Sequence, residues 1–313
     1  MFVAVMAAAL AVSLASGAVR QTSRANTVDV TVAVLDGVLG TVPNLSAGDF
    51  DVRIDDAPVA VVGIMQVPAE LSIVLIFDGT SSQPLKRYEV VNAVTTQWMP
   101  GLMAGDRIRV GMIAAPLSLL DWMSRDARAA APTIKAFFDR APLEPSPLWD
   151  ATAAAVDALA GEKGTKLVLL MSDGRANANA TGLEDAAARA LAGGVAVTVV
   201  GESAESLLAQ AGDPAARIRP HESLMWLARE TGGMYLPDGV ARRSLRPQQD
   251  PFAYVRELVA TPNRPGPLLV SLTNAMRQRY RLTIAGPTDG REHRIEVRAL
   301  TPGTTTHWAR RLR

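Results

Sequence analysis

Short apolar runs that end in a carboxylate constrain the fold of this chain more than any other feature. The run Leu71–Phe77 is apolar at every position except one serine and is followed at once by Asp78. The run Leu167–Met171 leads through a second serine into Asp173. Strands that are apolar on both faces are typical of a parallel sheet covered by helices on both sides. The sequence therefore predicts an α/β fold whose buried strands bring acids to one edge of the sheet.

Helical patterns alternate with apolar strands over a predicted domain at 71–238. Strands are predicted at 71–77, 107–114, 166–171 and 195–200, with weaker ones near 117–121 and 234–236. Helices are predicted near 84–99, 126–139, 148–160, 182–192 and 222–231. Regular alternation of this kind favours a doubly wound, mostly parallel, Rossmann-like sheet. The stretch 202–220 lacks either period and is predicted to be a surface insertion.

The segments on both sides of this domain show the period of two that indicates half-buried strands. The N-terminal β region is predicted at 27–66, and the C-terminal β hairpin region at 268–313, with a hairpin turn at Pro287–Gly290. A two-stranded ribbon is marginally stable alone. We therefore expect the two regions to pack together as one small β module. Residues 239–267, rich in Arg, Pro and Gln, are predicted to be a connector.

The first residues indicate export. Residues 1–18 carry no charge and end in small side chains, which is typical of a signal peptide cleaved after about Ala18. This predicts a secreted or periplasmic, bacterial-type protein. Because no Lys or Arg precedes the apolar run, an uncleaved N-terminal anchor is the alternative, and no other stretch reaches spanning length.

Overall composition excludes several classes of function. The chain has 32 basic and 31 acidic side chains, so no global field draws it to nucleic acid. It has no cysteine, which removes disulfides, thiolate zinc sites and thiol nucleophiles. Its 313 residues exceed the usual size of one domain. The sequence does not indicate an oligomeric state.

Hydroxyl and carboxylate side chains occur where the predicted strands end. Asp78, Thr80 and Ser82 occupy alternate positions after the first strand, Ser146 precedes a predicted helix, and Asp173 follows a later strand. Ligands of open α/β sheets bind at the carboxyl ends of the strands, where the strand order reverses. An oxygen-only set of side chains suits a small hard cation. These residues are therefore candidate metal ligands.

The pattern resembles the metal-ion-dependent adhesion site of the von Willebrand factor type A (VWA) family, written Asp-x-Ser-x-Ser, then a Thr, then an Asp. Asp78, Thr80 and Ser82 match the first loop, Ser146 falls where the Thr stands, and Asp173 matches the last acid. Thr80 replaces a Ser and Ser146 replaces a Thr, so every position keeps its hydroxyl. The resemblance covers about residues 71–240. The flanking β regions are similar to those of bacterial secreted members of the family.

The resemblance implies a binding function. It implies that these five residues hold Mg²⁺, or Mn²⁺ or Ca²⁺, and that a protein ligand offers a carboxylate to the metal. Adhesion or assembly of this kind needs no nucleophile or base, so we expect a protein that is not an enzyme.

Two alternatives remain open from the sequence. The substitutions at Thr80 and Ser146 leave room for a degenerate, metal-free site in a structural scaffold. A haloacid-dehalogenase-like phosphatase could use Asp78 as its nucleophile and magnesium as a clamp. That chemistry wants a second carboxylate at the position of Thr80.

Overall fold

The computed structural model describes residues 27–37, 39–66, 68–79, 87–123, 126–140, 145–201, 220–237, 265–287 and 289–312. Several predictions fall outside these ranges, namely the signal peptide, nearly all of the surface insertion, and most of the connector. Two of the five candidate metal ligands, Thr80 and Ser82, also lie outside them.

The described residues form two kinds of structure, an α/β domain and a pair of β sheets. The strands are β1 (Thr27–Leu35), β2 (Phe50–Ile54), β3 (Ala57–Val59), β4 (Val61–Gln66), β5 (Leu71–Phe77), β6 (Arg107–Met112), β7 (Ser118–Leu119), β8 (Thr165–Met171), β9 (Val195–Gly201), β10 (Tyr235–Pro237), β11 (Tyr280–Ala285), β12 (His293–Ala299), β13 (Thr305–Trp308) and β14 (Arg311–Leu312). The α-helices are α1 (Arg87–Asn92), α2 (Ala127–Phe138), α3 (Leu148–Asp157), α4 (Leu183–Gly193), α5 (Pro220–Glu230) and α6 (Pro265–Arg277). Helix α1 continues as a π-helical segment, Ala93–Trp98. No helix in the described ranges has the length and apolar character needed to cross a membrane.

The central sheet has the order β10-β9-β8-β5-β6-β7. Every neighbouring pair is parallel except β6 and β7, which are antiparallel. The chain builds outward from β5 in one direction and then returns to add β8 on its other side. This is the strand order of a doubly wound sheet, and its switch point lies between β5 and β8. The predicted α/β class and mostly parallel sheet are confirmed, with strand bounds that differ by one or two residues.

Strand β5 is buried at all seven positions because it supplies an apolar core on each face of the sheet. Leu75 and Phe77 pack with apolar side chains of α1, α2 and α6 on one face. Val74 and Ile76 pack with those of α3, α4 and α5 on the other face. Successive side chains of a strand point to opposite faces, so both cores require an uninterrupted apolar run.

The predicted C-terminal β region starts with a helix instead, so that part of the prediction is wrong. Helix α6 occupies most of the stretch 268–279, and its side chains Leu268, Leu269 and Leu272 are buried in the core of the α/β domain. Leu268 and Leu272 are four residues apart and so share one face of the helix. This helix covers the sheet face that also holds α1 and α2.

The predicted hairpin is also wrong, because its two strands lie in different sheets. Strand β11 pairs with β1 and β4, whereas β12 pairs with β2 and β14. The two sheets have the orders β13-β1-β11-β4 and β14-β12-β2-β3. Val32, Leu282 and Val297 contribute to one apolar core between them, which makes the pair a β sandwich. Strands from both ends of the chain share each sheet.

Within the described residues, the chain passes between the sandwich and the α/β domain twice, and the two crossings lie side by side. The first crossing joins β4 to β5, and the second joins α6 to β11. The Gln66 amide donates a hydrogen bond to the Gln278 carbonyl at 3.0 Å, and the Ala69 N–H donates to the Arg277 carbonyl at 3.3 Å. Both crossings are therefore at the edge of the central sheet where β5 begins.

A buried ion pair fixes the end of α6 to this edge. Arg277 donates to Asp106 through both terminal nitrogens and also donates to the Ala69 carbonyl at 3.0 Å. The Asp106 carboxylate additionally accepts the N–H groups of Leu71, at 2.9 Å, and Met103, at 2.7 Å. The side chains of Arg277 and Asp106 are 4% and 0% exposed. Helix α6, the start of β5 and the loop before β6 are thus held by one carboxylate.

Candidate functional site

The candidate site lies at the switch point of the central sheet. Strands β5 and β8 pair up to their last residues, Phe77 and Met171, so the chain leaves both strands at the same edge. The Asp78 N–H continues this pairing by donating to the Met171 carbonyl at 2.9 Å. Asp78 and Ser172 therefore start the two loops side by side, at the place where open α/β sheets bind ligands.

Asp78 is the point at which three segments of chain meet. Its Oδ2 atom accepts a hydrogen bond from the Ser172 hydroxyl at 2.8 Å and lies 3.5 Å from the Ser146 hydroxyl. Asp78, Ser146, Ser172 and Asp173 are each at most 2% exposed. The structure thus brings Ser146, from the segment before α3, to the acid at the end of β5. Thr80 and Ser82 lie outside the described residues, so their place relative to this group stays a prediction.

Asp173 is positioned by the turn that follows β8. Its Oδ1 atom accepts the N–H of Arg175 at 2.9 Å, and its Oδ2 atom lies 3.6 Å from the Arg175 Nε. The chain reverses at Gly174, which has a φ of 84° and lies in the left-handed region that favours glycine. The buried acid of this turn therefore lies beside a largely exposed guanidinium.

Ser172 is a member of the site that the sequence motif does not single out. Its hydroxyl donates to Asp78 and accepts the N–H of Gly174 at 3.0 Å. It therefore holds the β5 acid and the β8 turn together. Its position at the end of an apolar strand, directly before an acid, is the signal in the sequence.

Asn177 fixes the segment that carries Ser146. The Asn177 side-chain oxygen accepts the Ser146 N–H at 2.9 Å, and the Asn177 N–H donates to the Ser146 carbonyl at 2.9 Å. Two residues further on, the Asn179 side chain accepts the Trp149 N–H at 2.7 Å. The loop after β8 thus clamps the residues that lead into α3. The sequence shows these asparagines only as an Asn-Ala-Asn-Ala run.

Asp150, in the first turn of α3, makes a further link to the same loop. Its carboxylate accepts the N–H groups of Ala180, at 2.9 Å, and Thr181, at 2.6 Å. Hydrogen bonding from Thr181, followed by the backbone N–H groups, lowers the pKa of the Asp150 carboxyl below its usual value. The loop and the helix start are therefore joined by three separate side chains, Asn177, Asn179 and Asp150.

The atoms gathered at the switch point are oxygens of two chemical kinds. Ser146 and Ser172 offer neutral hydroxyls, and Asp78 and Asp173 offer carboxylates. Oxygen ligands of this kind fit Mg²⁺, Mn²⁺ or Ca²⁺, whereas softer metals prefer nitrogen or sulfur. Across the described ranges, no group of three or more His, Asp or Glu gathers in a way that could hold a metal ion. Any cation at this site would rely on hydroxyl ligands as well as on the two acids.

Comparisons with known proteins found similarity to solved structures. No protein-family profile matches the sequence, and no curated protein matches it. A similar solved structure is a von Willebrand factor type A protein from Catenulispora acidiphila, 12% identical, with a TM-score of 0.44, over 93% of this chain and 74% of that one. Manganese-loaded TRAP from Plasmodium vivax is 14% identical, with a TM-score of 0.41, over 79% of this chain and 96% of that one.

Another similar structure is an aerotolerance-related membrane protein from Bacteroides fragilis, 14% identical, with a TM-score of 0.42, over 66% of this chain and 98% of that one. The vWF domain of a pilus tip protein from Porphyromonas gingivalis is also among the similar structures. Because the identities and TM-scores are this low, no conclusion about the fold or the binding of this chain rests on these structures.

Proposed function

We propose that this protein is a protein-binding module for adhesion or assembly that depends on a divalent cation. Mg²⁺ is the expected ion, with Mn²⁺ or Ca²⁺ as alternatives. The proposed ligands are Asp78, Thr80, Ser82, Ser146 and Asp173. The observation that carries the proposal is the meeting of Asp78, Ser146 and the Ser172–Asp173 turn at the switch point of the sheet.

The arrangement of the site suits binding more than catalysis. The Ser172 hydroxyl orients Asp78, and the two hydrogen bonds with Asn177 hold Ser146 in place, so these groups are fixed before a ligand arrives. A bound cation would supply an electrophilic centre with a coordination position for a carboxylate of the partner protein. Because hydroxyl ligands are neutral, such a cation keeps much of its charge.

The proposal includes the setting of the site. We infer that residues 1–18 direct export and that the protein acts in the periplasm or outside the cell. We also propose the domain at 71–238 as the binding unit, carried by the β sandwich.

A metal-free scaffold is the second candidate, and one contact favours it. The Arg175 guanidinium lies 3.6 Å from Asp173, where it neutralises part of the charge that would attract a cation. In this alternative the positive charge of Arg175 balances the Asp173 carboxylate, and no metal ion is needed. Among the residues that the structure describes, no comparable contact favours the phosphatase alternative.

Isothermal titration calorimetry with MgCl₂ and with MnCl₂ tests the proposal. The variants are Asp78→Asn, which keeps the shape and one acceptor oxygen, and Ser146→Ala. Asp139→Ala is the matched control, because Asp139 is an exposed acid at the end of α2. We expect saturable binding by the wild type and the control, and at least a tenfold loss of affinity in Asp78→Asn.

Circular dichroism verifies that each variant is folded. Absence of binding by the folded wild type, or equal binding by Asp78→Asn, would contradict the proposal and favour the scaffold. If binding is confirmed, a pull-down from native envelope extract, with and without chelator, identifies the partner.

A further inference from the structure

A second candidate site lies between the α/β domain and the β sandwich. A cleft of about 510 Å³ is bordered by the end of α5, the start of β12 and the residues around β14. Its titratable lining consists of four arginines, two glutamates and one histidine, namely Arg229, Arg294, Arg310, Arg311, Glu230, Glu292 and His293. The excess of arginine makes the cleft a place where a negative charge is favoured.

Two of these arginines are already neutralised by carboxylates. Arg311 contacts Glu230 at 3.2 Å and Glu292 at 2.6 Å. Arg294 contacts Glu296 at 2.7 Å. These pairs use both glutamates of the cleft, so they shape its walls and leave little negative charge for the remaining arginines.

Arg229 and Arg310 differ from Arg294 and Arg311 in their ion pairing. Neither takes part in an ion pair among the described residues. The Arg310 Cζ atom lies 3.8 Å from the centre of the Trp308 ring. The Arg310 Nε atom is buried and has no hydrogen-bond partner among the described residues. Stacking on an aromatic ring holds a guanidinium rigidly, and its terminal nitrogens keep N–H donors for an oxyanion.

The two guanidinium groups also act on each other. Burial lowers the pKa of Arg310 and the positive charge of Arg229 lowers it further, whereas the charges of Glu230 and Glu296 act in the opposite direction. Like charges held near one another in a partly desolvated cleft favour the entry of an anion, which would relieve the repulsion. A carboxylate accepts paired N–H donors from arginine with well-matched geometry.

The cleft continues into a second cavity of about 690 Å³, and the two share Trp226, Glu230, Glu292 and Arg311. The far side of this cavity is formed by α4 and combines the apolar Leu191 with the acids Glu184 and Asp185. The combined groove therefore has a basic end with Arg229 and Arg310, a middle formed by Trp226 and the Arg311 ion pairs, and an acidic end. Such a surface complements an extended peptide better than it complements a small inorganic anion.

We propose that this groove binds an extended peptide segment of a partner protein through one carboxylate of that segment, which Arg229 and Arg310 contact. The groove lies near the end of α5, which runs back from the carboxyl edge of the sheet, so it is at the opposite edge from Asp78. Binding in the groove is consequently independent of any cation, and this inference does not rest on the proposed metal site.

Titration of a blocked peptide containing two glutamates, in buffer with chelator, tests the inference. Two other ligands are titrated for comparison. One is the same peptide with both glutamates replaced by glutamines, and the other is inorganic phosphate. The variants are Arg229→Gln, on the exposed helix surface, and Arg310→Gln, with Arg189→Gln as the control because Arg189 forms an exposed surface pair. A charge-assisted hydrogen bond contributes about 1.5–3 kcal/mol, or about 10–100-fold in affinity.

We expect the wild type to bind the glutamate peptide at least tenfold more tightly than the glutamine peptide. Arg229→Gln and Arg310→Gln should each lose about tenfold or more, and Arg189→Gln should be unchanged. Equal binding of both peptides, no binding at all, or an equal loss in the control would overturn the inference. Tighter binding of phosphate than of the peptide would overturn the assignment of a peptide ligand. Arg229→Gln decides the matter if Arg310→Gln fails to fold.

Discussion

Replacing Arg277 by methionine should destabilise the α/β domain strongly. The substitution Arg277→Met keeps the length of the apolar stem but removes the hydrogen bonds to Asp106 and to the Ala69 carbonyl. The Asp106 carboxylate, at 0% exposure, then keeps only its backbone donors, Leu71 and Met103. Breaking a buried ion pair on one side costs about 3–5 kcal/mol.

Urea unfolding followed by tryptophan fluorescence measures this loss. Trp98 is a suitable probe, because it is fully buried and its indole N–H donates to Thr273 of α6 at 2.8 Å. With m values of about 1–3 kcal/mol/M, the midpoint should fall by at least about 1 M. The control is Arg189→Met, which breaks an exposed pair and should cost less than about 1 kcal/mol.

A double-mutant cycle with Asp106→Asn identifies the cause. The N–H groups of Leu71 and Met103 bond to different oxygens of the Asp106 carboxylate, so asparagine keeps an acceptor for one of them. Because asparagine needs no compensating charge, Arg277→Met should still cost much less in the Asp106→Asn background. The two losses should therefore not add. A loss below about 1 kcal/mol for Arg277→Met, or strictly additive losses, would refute the reasoning that the unpaired buried charge of Asp106 causes most of the destabilisation.

Two further predictions concern the switch point and the sandwich. Asn177→Ala leaves the Ser146 N–H without its side-chain acceptor, so the free energy of unfolding should fall by about 1–3 kcal/mol. The affinity for Mg²⁺ should fall as well. An unchanged melting temperature and an unchanged affinity in calorimetry would contradict the idea that Asn177 holds Ser146 in place. His293 is buried between Asp55 and Asp289, and its hydrogen bonds with these two acids raise its pKa. Its contribution to the free energy of unfolding is therefore fully present below about pH 6.5, the pKa of an unfolded histidine, and is lost as the pH rises through the higher pKa of the folded state. Unfolding measured from pH 5.5 to 9 should show this decline in the wild type and a flatter profile in His293→Gln; identical profiles would rule it out.

The central sheet could be predicted from the sequence because its signals are local. Strand β5 is apolar throughout, since it supplies a core on each face, and that requirement is written in seven consecutive residues. The acids Asp78 and Asp173 follow apolar strands, so their place at one sheet edge follows from parallel pairing alone. The structure adds the finding that β5 and β8 are direct neighbours.

The parts that sequence analysis missed depend on contacts between distant residues. The period of two in β11 and β12 identifies an apolar face but does not identify the neighbouring strand, so a hairpin and a sheet-to-sheet crossing have the same pattern. Helix α6 contains a short apolar run, and such runs do not distinguish strand from buried helix. Asn177 reaches Ser146 across 31 positions of sequence, which no local pattern reveals.

The paired crossings at the start of β5 determine how mechanical load would travel through the molecule. A pull between the sandwich and a ligand held beyond Asp78 would act along the strands of the central sheet. Tension would divide between two adjacent covalent links, and the buried carboxylate of Asp106 would tie them together at their base. Backbone hydrogen bonds of β5 lie across that direction, so they would be sheared collectively and not opened one at a time, the geometry in which a sheet resists extension best.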